Sequence, residues 1–355
     1  MLQRVVEEIG DLNRDAMEKA QQRLDSLIKP PGSLGVLEEV AVRLAGITGN
    51  PRPEIKNKAV IVMAGDHGIY EEGVSAAPQE VTYQMLPAFV NGVNGIGVLA
   101  RQAGARVVVV DVGVAVPVNY PGVLQKKVKA GTDNMTRGPA MTRDEAIMAL
   151  EVGIDIACQE IERGAELLAT GDMGIANTTP STAILAVLGN LPVKDITGRG
   201  TLVNDEILNN KKKAIARAIE INKPDPEDPV DVLAKVGGLE IAGLAGMILG
   251  AASKRVPVLV DGYISSAAAL IASRIAPKSK EFMLPSHLSG EKGHRLMLEV
   301  LGLKPMLHLN MRLGEGTGSA LAMHIVEGAL RILHEMASFD EANVSDVDKS
   351  KVLKK

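Results

Sequence analysis

Leu2, Val5, Val6, Ile9 and Leu12 recur at three- and four-residue spacing, and Met17, Ala20, Leu24 and Leu27 continue the stripe. An apolar line of that period predicts one or two amphipathic helices over residues 1 to about 28, with a face that needs another surface to cover it. After a Pro/Gly interruption, Leu37 to Ile47 reads as a further helix closed by Pro51 and Pro53. The pattern then changes. Short apolar runs at Ala59–Ala64, Val107–Val110, Leu167–Ala169, Val256–Val260 and Phe282–Leu284 are separated by long stretches of helical period. That alternation predicts an α/β fold with a mostly parallel sheet flanked by helices. Four of the runs lead into polar, Gly-rich turns at Gly65–Gly68, Gly171–Gly174, Asp261–Tyr263 and Ser286–Gly290. Open parallel sheets bind ligands beyond the carboxyl ends of their strands, so these turns mark the expected rim of a site. The longest apolar stretch, Ile241–Ala252, is rich in Gly and Ala and falls short of the roughly 18 residues of a membrane span; it predicts a closely packed core helix. Gly314–Gly318 precedes a helix from about Ser319 to Met336, and residues 338–355 are charged and expected to fray.

Composition narrows the function. A chain of 355 residues accommodates one large domain with an accessory. Its net charge of −4 provides no field to hold a polyanion, and with no Trp, 3 Phe and 4 Tyr it cannot build stacking platforms, so nucleic acid is not expected as a partner. The single Cys158 excludes an intramolecular disulfide framework and a zinc site of paired cysteines, and it reads as a small buried hydrophobe in a reducing cytoplasm. Glu7 and Glu8 fall where a secretory signal would be uninterruptedly apolar, which also predicts a cytoplasmic protein.

Three segments could carry chemistry. Gly171-Asp172-Met173-Gly174-Ile175-Ala176-Asn177-Thr178-Thr179-Pro180 joins a strand to a helix, with Thr179 as the expected N-cap and Pro180 at the first helical position. It reads either as an anion-binding helix start or as a tight turn without a ligand. Gly198-Arg199-Gly200-Thr201 repeats the pattern, and Asn204-Asp205-Glu206 opens a helix bearing Lys211, Lys212 and Lys213. At least two of these lysines read as a solvated face, and spacing from Gly198 favours Lys211 for any return to a phosphate. In Gly314-Glu315-Gly316-Thr317-Gly318 a carboxylate would repel a phosphate, so Glu315 reads as a base or as part of a flexible loop opening a helix. Asp66-His67 and Ser286-His287 with Asp261 make neither a metal centre nor a hydrolase convincing, and both histidines read as supporting or packing residues.

Together with Lys29-Pro30-Pro31-Gly32-Ser33-Leu34-Gly35, Ala64–Gly68, Val74-Ser75, Val81-Thr82, Gln84-Met85 and Arg312–Gly318, these blocks resemble the nicotinate-nucleotide–dimethylbenzimidazole phosphoribosyltransferase family along nearly the whole chain. The resemblance implies a Rossmann-like large domain, here 29–304, and a small helical domain from both chain ends, 1–28 plus 305–355. It implies a homodimer that moves phosphoribose from nicotinate mononucleotide to a benzimidazole-type base without cofactor or divalent metal. Glu315 matches the catalytic glutamate and Asp172 a second carboxylate. Gly174, Asn177, Gly200, Thr201, Lys211 and Ser289 would hold the nucleotide phosphate, and Val81, Gln84, Met85 and Leu313 would form the base pocket. Ala77 stands where the family commonly has an aromatic residue, with charged Glu80 close by, so the pocket reads as wider or more polar. Leu202 and Val36 replace a common Gly and a common basic residue.

Competing functions fit less well. A nucleotide-dependent oxidoreductase needs Gly-x-Gly-x-x-Gly after the first strand, where Gly65-Asp66-His67-Gly68 stands instead. A diphosphate-sugar transferase would want paired acids where Arg106–Val112 holds Asp111 alone. A non-catalytic nucleotide-binding regulator of the same fold would have no use for Glu315.

Overall fold

The computed structural model describes residues 1–200 and 203–345. Thr201, one of the expected phosphate contacts, and Leu202 lie outside the described residues, as do residues 346–355 of the charged tail.

Six strands form one sheet: β1 (Lys58–Gly65), β2 (Ala105–Gly113), β3 (Val123–Gln125), β4 (Leu167–Met173), β5 (Val258–Val260) and β6 (Met283–Pro285). Their order is β3-β2-β1-β4-β5-β6 and every pairing is parallel, with Val60 of β1 registered between Val107 and Ala169. All eight residues of β1 are buried, as befits a central strand covered on both faces, which is why it reads as a continuous apolar run without alternation. β3 was not foreseen, since Val123-Leu124-Gln125 holds only two apolar residues, between Gly122 and Lys126, and makes no apolar run. β5 starts at Val258, two residues later than expected, after Pro257, which has no N–H to give to a ladder. β6 starts one residue late because Phe282 closes the short 3₁₀ turn Pro277–Phe282.

The chain runs outward from β1 to β3 on one side and from β4 to β6 on the other. The crevice therefore opens between the carboxyl ends of β1 and β4, where strand order reverses. Behind the sheet the helix Leu239–Ser253 is buried through Ala252 and lies backbone to backbone on the helix Arg143–Glu162. A Cβ on Gly246 would stand 1.8 Å from the Leu150 carbonyl oxygen, so only glycine permits that approach. Thr142 and Glu145 close the start of Arg143–Glu162 with a reciprocal capping box. Among the described residues no helix is long and apolar enough to cross a membrane. Cys158 is free and only partly buried, not enclosed as expected.

The described chain divides into two compact units, residues 1–10 with 56–322 and residues 11–55 with those from 323 onward. These boundaries differ from the expected 1–28 plus 305–355. Leu2–Glu8 falls in the first unit, where the terminal amine lies 2.7 Å from Glu151 and Lys254 lies 3.6 Å from Glu8. Residues 305–322 belong there too, because the loop before Thr317 is bonded to Asp261. The second unit takes in Val36–Thr48, whose Gly46 admits Met17 of the helix Arg14–Ser26: a Cβ at Gly46 would be 2.6 Å from Met17 Cγ. Within that unit Lys29 and Glu38 form a buried pair at 2.9 Å, and Glu38 also accepts from the Leu34 N–H. Residues just past 337, expected to fray, are tied down: Leu27 bridges Ser338 and the Phe339 N–H donates to the Ser26 carbonyl at 3.1 Å.

Candidate active site

A cavity of about 320 Å³ lies beyond the carboxyl ends of the strands, and three of the four Gly-rich turns, all but that of β1, line it. The last residues of β4 and the turn after it bring Asp172 and Gly174 to its wall. The helix that follows, Thr178–Leu188, starts two residues before the expected Pro180, with Asn177 at the N-cap. Asn177 makes no capping bond, since its own backbone is already helical at φ −60° and ψ −22°, and its side-chain amide donates to Asp172 Oδ2 at 3.0 Å. Asn177 was expected at a phosphate; although it lines the cavity, its amide serves the neighbouring carboxylate. Burial pushes the Asp172 carboxyl well above its usual range, and the carboxylates of Asp261 and Glu240 add to the shift.

Glu315 stands on the same wall in a left-handed backbone conformation, φ 63°, between Gly314 at 80° and Gly316 at 95°. Its Oε2 accepts from Asn94 Nδ2 at 3.1 Å and from the Ile96 N–H at 3.2 Å. Asn94 is at the same time the N-cap of the helix Gly95–Gln102, accepting from the Gly97 N–H, so its amide is held in one orientation. Both bonds fall on Oε2, which leaves Oε1 as the basic oxygen. Burial raises the Glu315 carboxyl above the usual range and outweighs the lowering effect of the Ile96 N–H. The loop lies against β4 so closely that a Cβ on Gly171 would be 2.5 Å from the Glu315 carbonyl oxygen.

A cationic region lies on the same cavity. Lys211, in the helix Asp205–Asn222, is 1% exposed and donates to Thr178 Oγ1 at 2.6 Å. Burial lowers its ammonium to about 8, against the opposing charge of Glu291. Lys212 is half-buried and Lys213 exposed, and neither lines the cavity. Gly200, Ser289, Arg199 and Arg312 do. The Ser289 N–H donates to His294 Nδ1 at 2.7 Å and its hydroxyl oxygen accepts from the Glu291 N–H at 3.3 Å, which leaves the hydroxyl proton as the group available to a ligand. That bond makes His294 a neutral acceptor at Nδ1, with Nε2–H directed to Ser266 Oγ at 2.9 Å; burial depresses its pKa to about 3.

Val81, Met85 and Leu313 form an apolar section of the wall with Val74, Ala77 and Ile175. Gln84, expected with them, is on the exposed side of the helix Val81–Val90 and outside the lining, and Glu80 is likewise exposed before that helix. The pocket is therefore apolar where Glu80 had suggested polarity. His67 is buried, with Nε2 2.9 Å from Glu240 Oε1, which suits its reading as a supporting residue. His287, read the same way, lines the cavity.

Thr178, Arg199 and Arg312 stand inside motifs the sequence singles out but without a role of their own, and Asn94, Glu291 and the reach of Asp261 are absent from that reading. Asn94 before Gly95 had a legible helix-start signal; the others gain their place only from the fold. Among the described residues no group of three or more His, Cys, Asp or Glu is arranged to hold a metal ion.

A family model described as a phosphoribosyltransferase matches residues 9–344. The chain belongs to that family. It is 55% identical over 347 residues to the nicotinate-nucleotide–dimethylbenzimidazole phosphoribosyltransferase of Desulforamulus reducens, covering 97% of this chain and 99% of that protein. Identity to the protein of the same name from Geobacter sulfurreducens is 52% over 349 residues, covering 98% and 99%. The crystal structure of CobT from Thermus thermophilus superposes with a TM-score of 0.90 at 46% identity, covering 94% of this chain and all of that one. The Rossmann-like order of the sheet and the family agree, and the family is one of enzymes.

Proposed function

We propose that this protein transfers phosphoribose from nicotinate mononucleotide to 5,6-dimethylbenzimidazole or a related base, releasing nicotinate and an α-riboside 5′-phosphate. The observation that carries the reading is Glu315, a buried carboxylate anchored through one oxygen on the wall of a cavity that also presents Lys211. The names of the relatives support the same reaction.

The donor brings its own leaving group, since the nicotinate ring in the nucleotide is already a cationic pyridinium. Departure needs little acid assistance, and the enzyme's part is a base and orientation. Glu315 Oε1 takes the proton from one imidazole nitrogen while the other attacks C1′ from the face opposite nicotinate, which inverts the anomeric carbon. Asp172, once ionised, stabilises the positive charge that grows on the ribose. Lys211, the backbone at Gly174 and Gly200, and the Ser289 hydroxyl hold the 5′-phosphate. Val81, Met85 and Leu313 receive the apolar base. With Ala77 in place of an aromatic residue the pocket accepts a range of bases, and competition among dimethylbenzimidazole, other benzimidazoles, adenine and phenolic acceptors ranks them.

The reading carries a homodimer and a cytoplasmic location as well. The family resemblance supports the first and the unpaired Cys158 suits the second; light scattering on the purified protein tests the dimer. The reaction itself is tested by incubating the protein with nicotinate mononucleotide and a panel of bases without metal and following nicotinate. Base-dependent release that falls by ~10²-fold or more in Glu315→Gln supports both reaction and residue. No release with any base would leave a nucleotide-binding protein and end the transferase reading.

A further inference from the structure

Asp261 directly follows β5 and is 1% exposed, yet its carboxylate reaches a segment more than fifty residues away. Oδ2 accepts from the Gly316 N–H at 3.2 Å and Oδ1 from the Ser319 N–H at 3.0 Å. The helix Thr317–Glu335 is preceded by Gly316, which has no side chain to satisfy the free N–H groups of its first turn. Asp261 supplies the missing acceptor from across the sheet. It is itself fixed on two sides: its N–H donates to Thr170 Oγ1 of β4 at 2.9 Å, and its carbonyl accepts from the Ser286 hydroxyl at 3.0 Å. His287 closes the seat, since a Cβ on Gly318 would be 2.0 Å from its Cδ2.

We infer that Asp261 is the positioning residue for Glu315, tying the residues just after it to β4 and β5 so that the base is held at the cavity wall. The inference rests on the transferase reading above. Gly314 and Gly316 adopt positive φ freely, but a glutamate in the left-handed region persists only where its surroundings over-determine it. On the amino side Asn94 and Ile96 hold the Glu315 carboxylate; on the carboxyl side the two bonds to Asp261 hold the backbone. Asp261 also acts through its charge, which helps keep the Glu315 carboxyl above its usual range. The other ionisable groups facing Asp261 are His287, with Nε2 3.9 Å from Oδ1, and Asp172.

The test is Asp261→Asn, which keeps the shape and one accepting oxygen but removes the charge. Nicotinate release at saturating substrates is expected to fall by ~10²-fold, with the calorimetric Kd for nicotinate mononucleotide unchanged. The acid limb of the rate profile moves to lower pH, because Glu315 loses a negative neighbour. A residue with a merely structural role would not move that limb. Wild-type turnover in the variant, or an acid limb left in place, overturns the inference. Should Asp261→Asn not fold, Thr170→Val removes the acceptor for the Asp261 N–H and leaves the charge. Release then falls with Kd and limb unchanged, and an unaltered rate overturns the inference. Absence of release by the wild-type protein is a different result, and it ends the transferase reading itself.

Discussion

A carboxylate is useful as a base only if it is ionised when the acceptor arrives, and a lysine holds a phosphate only while it is protonated. Glu315 is raised by burial and Lys211 is lowered by burial to about 8, so the two groups narrow the working window from both sides. For the free enzyme kcat/KM is expected to fall below an acid limb lying above the ordinary glutamate range, as Glu315 takes up its proton. It falls again above about pH 8, as Lys211 loses its own. Lys211→Arg keeps the cation at all these pH values, and a pH profile of that variant with its basic limb still in place would assign the limb to another group. Asp172 behaves in the opposite way. Its folded-state carboxyl is raised far above the unfolded value of 3.8, so its contribution to stability is full below that value and is lost as pH rises toward the folded one. Asp172→Asn should therefore raise Tm at neutral pH by about 1–2 °C, the shift expected for ~1 kcal/mol in a chain of 355 residues, while nicotinate release drops. A thermal melt showing a lower Tm would contradict this. Glu315 was legible in the sequence because flanking glycines left it without local partners. Asn177 reaches the cavity wall, but nothing in the chain signals that its amide turns to Asp172.

A helix was legible to within a residue where its period ran for several turns, as in Val36–Thr48, whereas the break between Leu2–Glu8 and Arg14–Ser26 was left open, and β2 and β4 run three and four residues past their apolar runs. Boundaries failed where a single residue governs the backbone, at Pro257 before β5 and at Asn177 before Thr178–Leu188. The glycines of Leu239–Ser253 were legible as a close-packing signal, though their partner was not. Gly246→Val drives a side chain into the Leu150 carbonyl and should destabilise by about 3 kcal/mol in urea unfolding, since backbone against backbone cannot repack. Gly328, inside the helix Thr317–Glu335, has open space where a Cβ would stand, with nothing within 4 Å, so Gly328→Ala should instead gain up to about 1 kcal/mol from helix propensity. Equal effects at the two glycines would mean that propensity, not contact, sets both.

At the scale of the whole molecule, the sequence predicted strands alternating with helices but not their order. The order β3-β2-β1-β4-β5-β6 depends on which side of β1 each crossover returns to, a choice made by packing among helices far apart in sequence. The same choice assembles the cavity from turns after β4, β5 and β6 and from the loop at Glu315, segments spread over more than a hundred residues. Such a site has consequences for how the chain folds. Local helices can form early, but the contacts that shape the cavity close large loops and must await the ordering of the parallel sheet. On dilution from denaturant, helical circular dichroism should return ahead of nicotinate release, and the lag between them measures how long the protein exists as a folded-looking chain without a working centre.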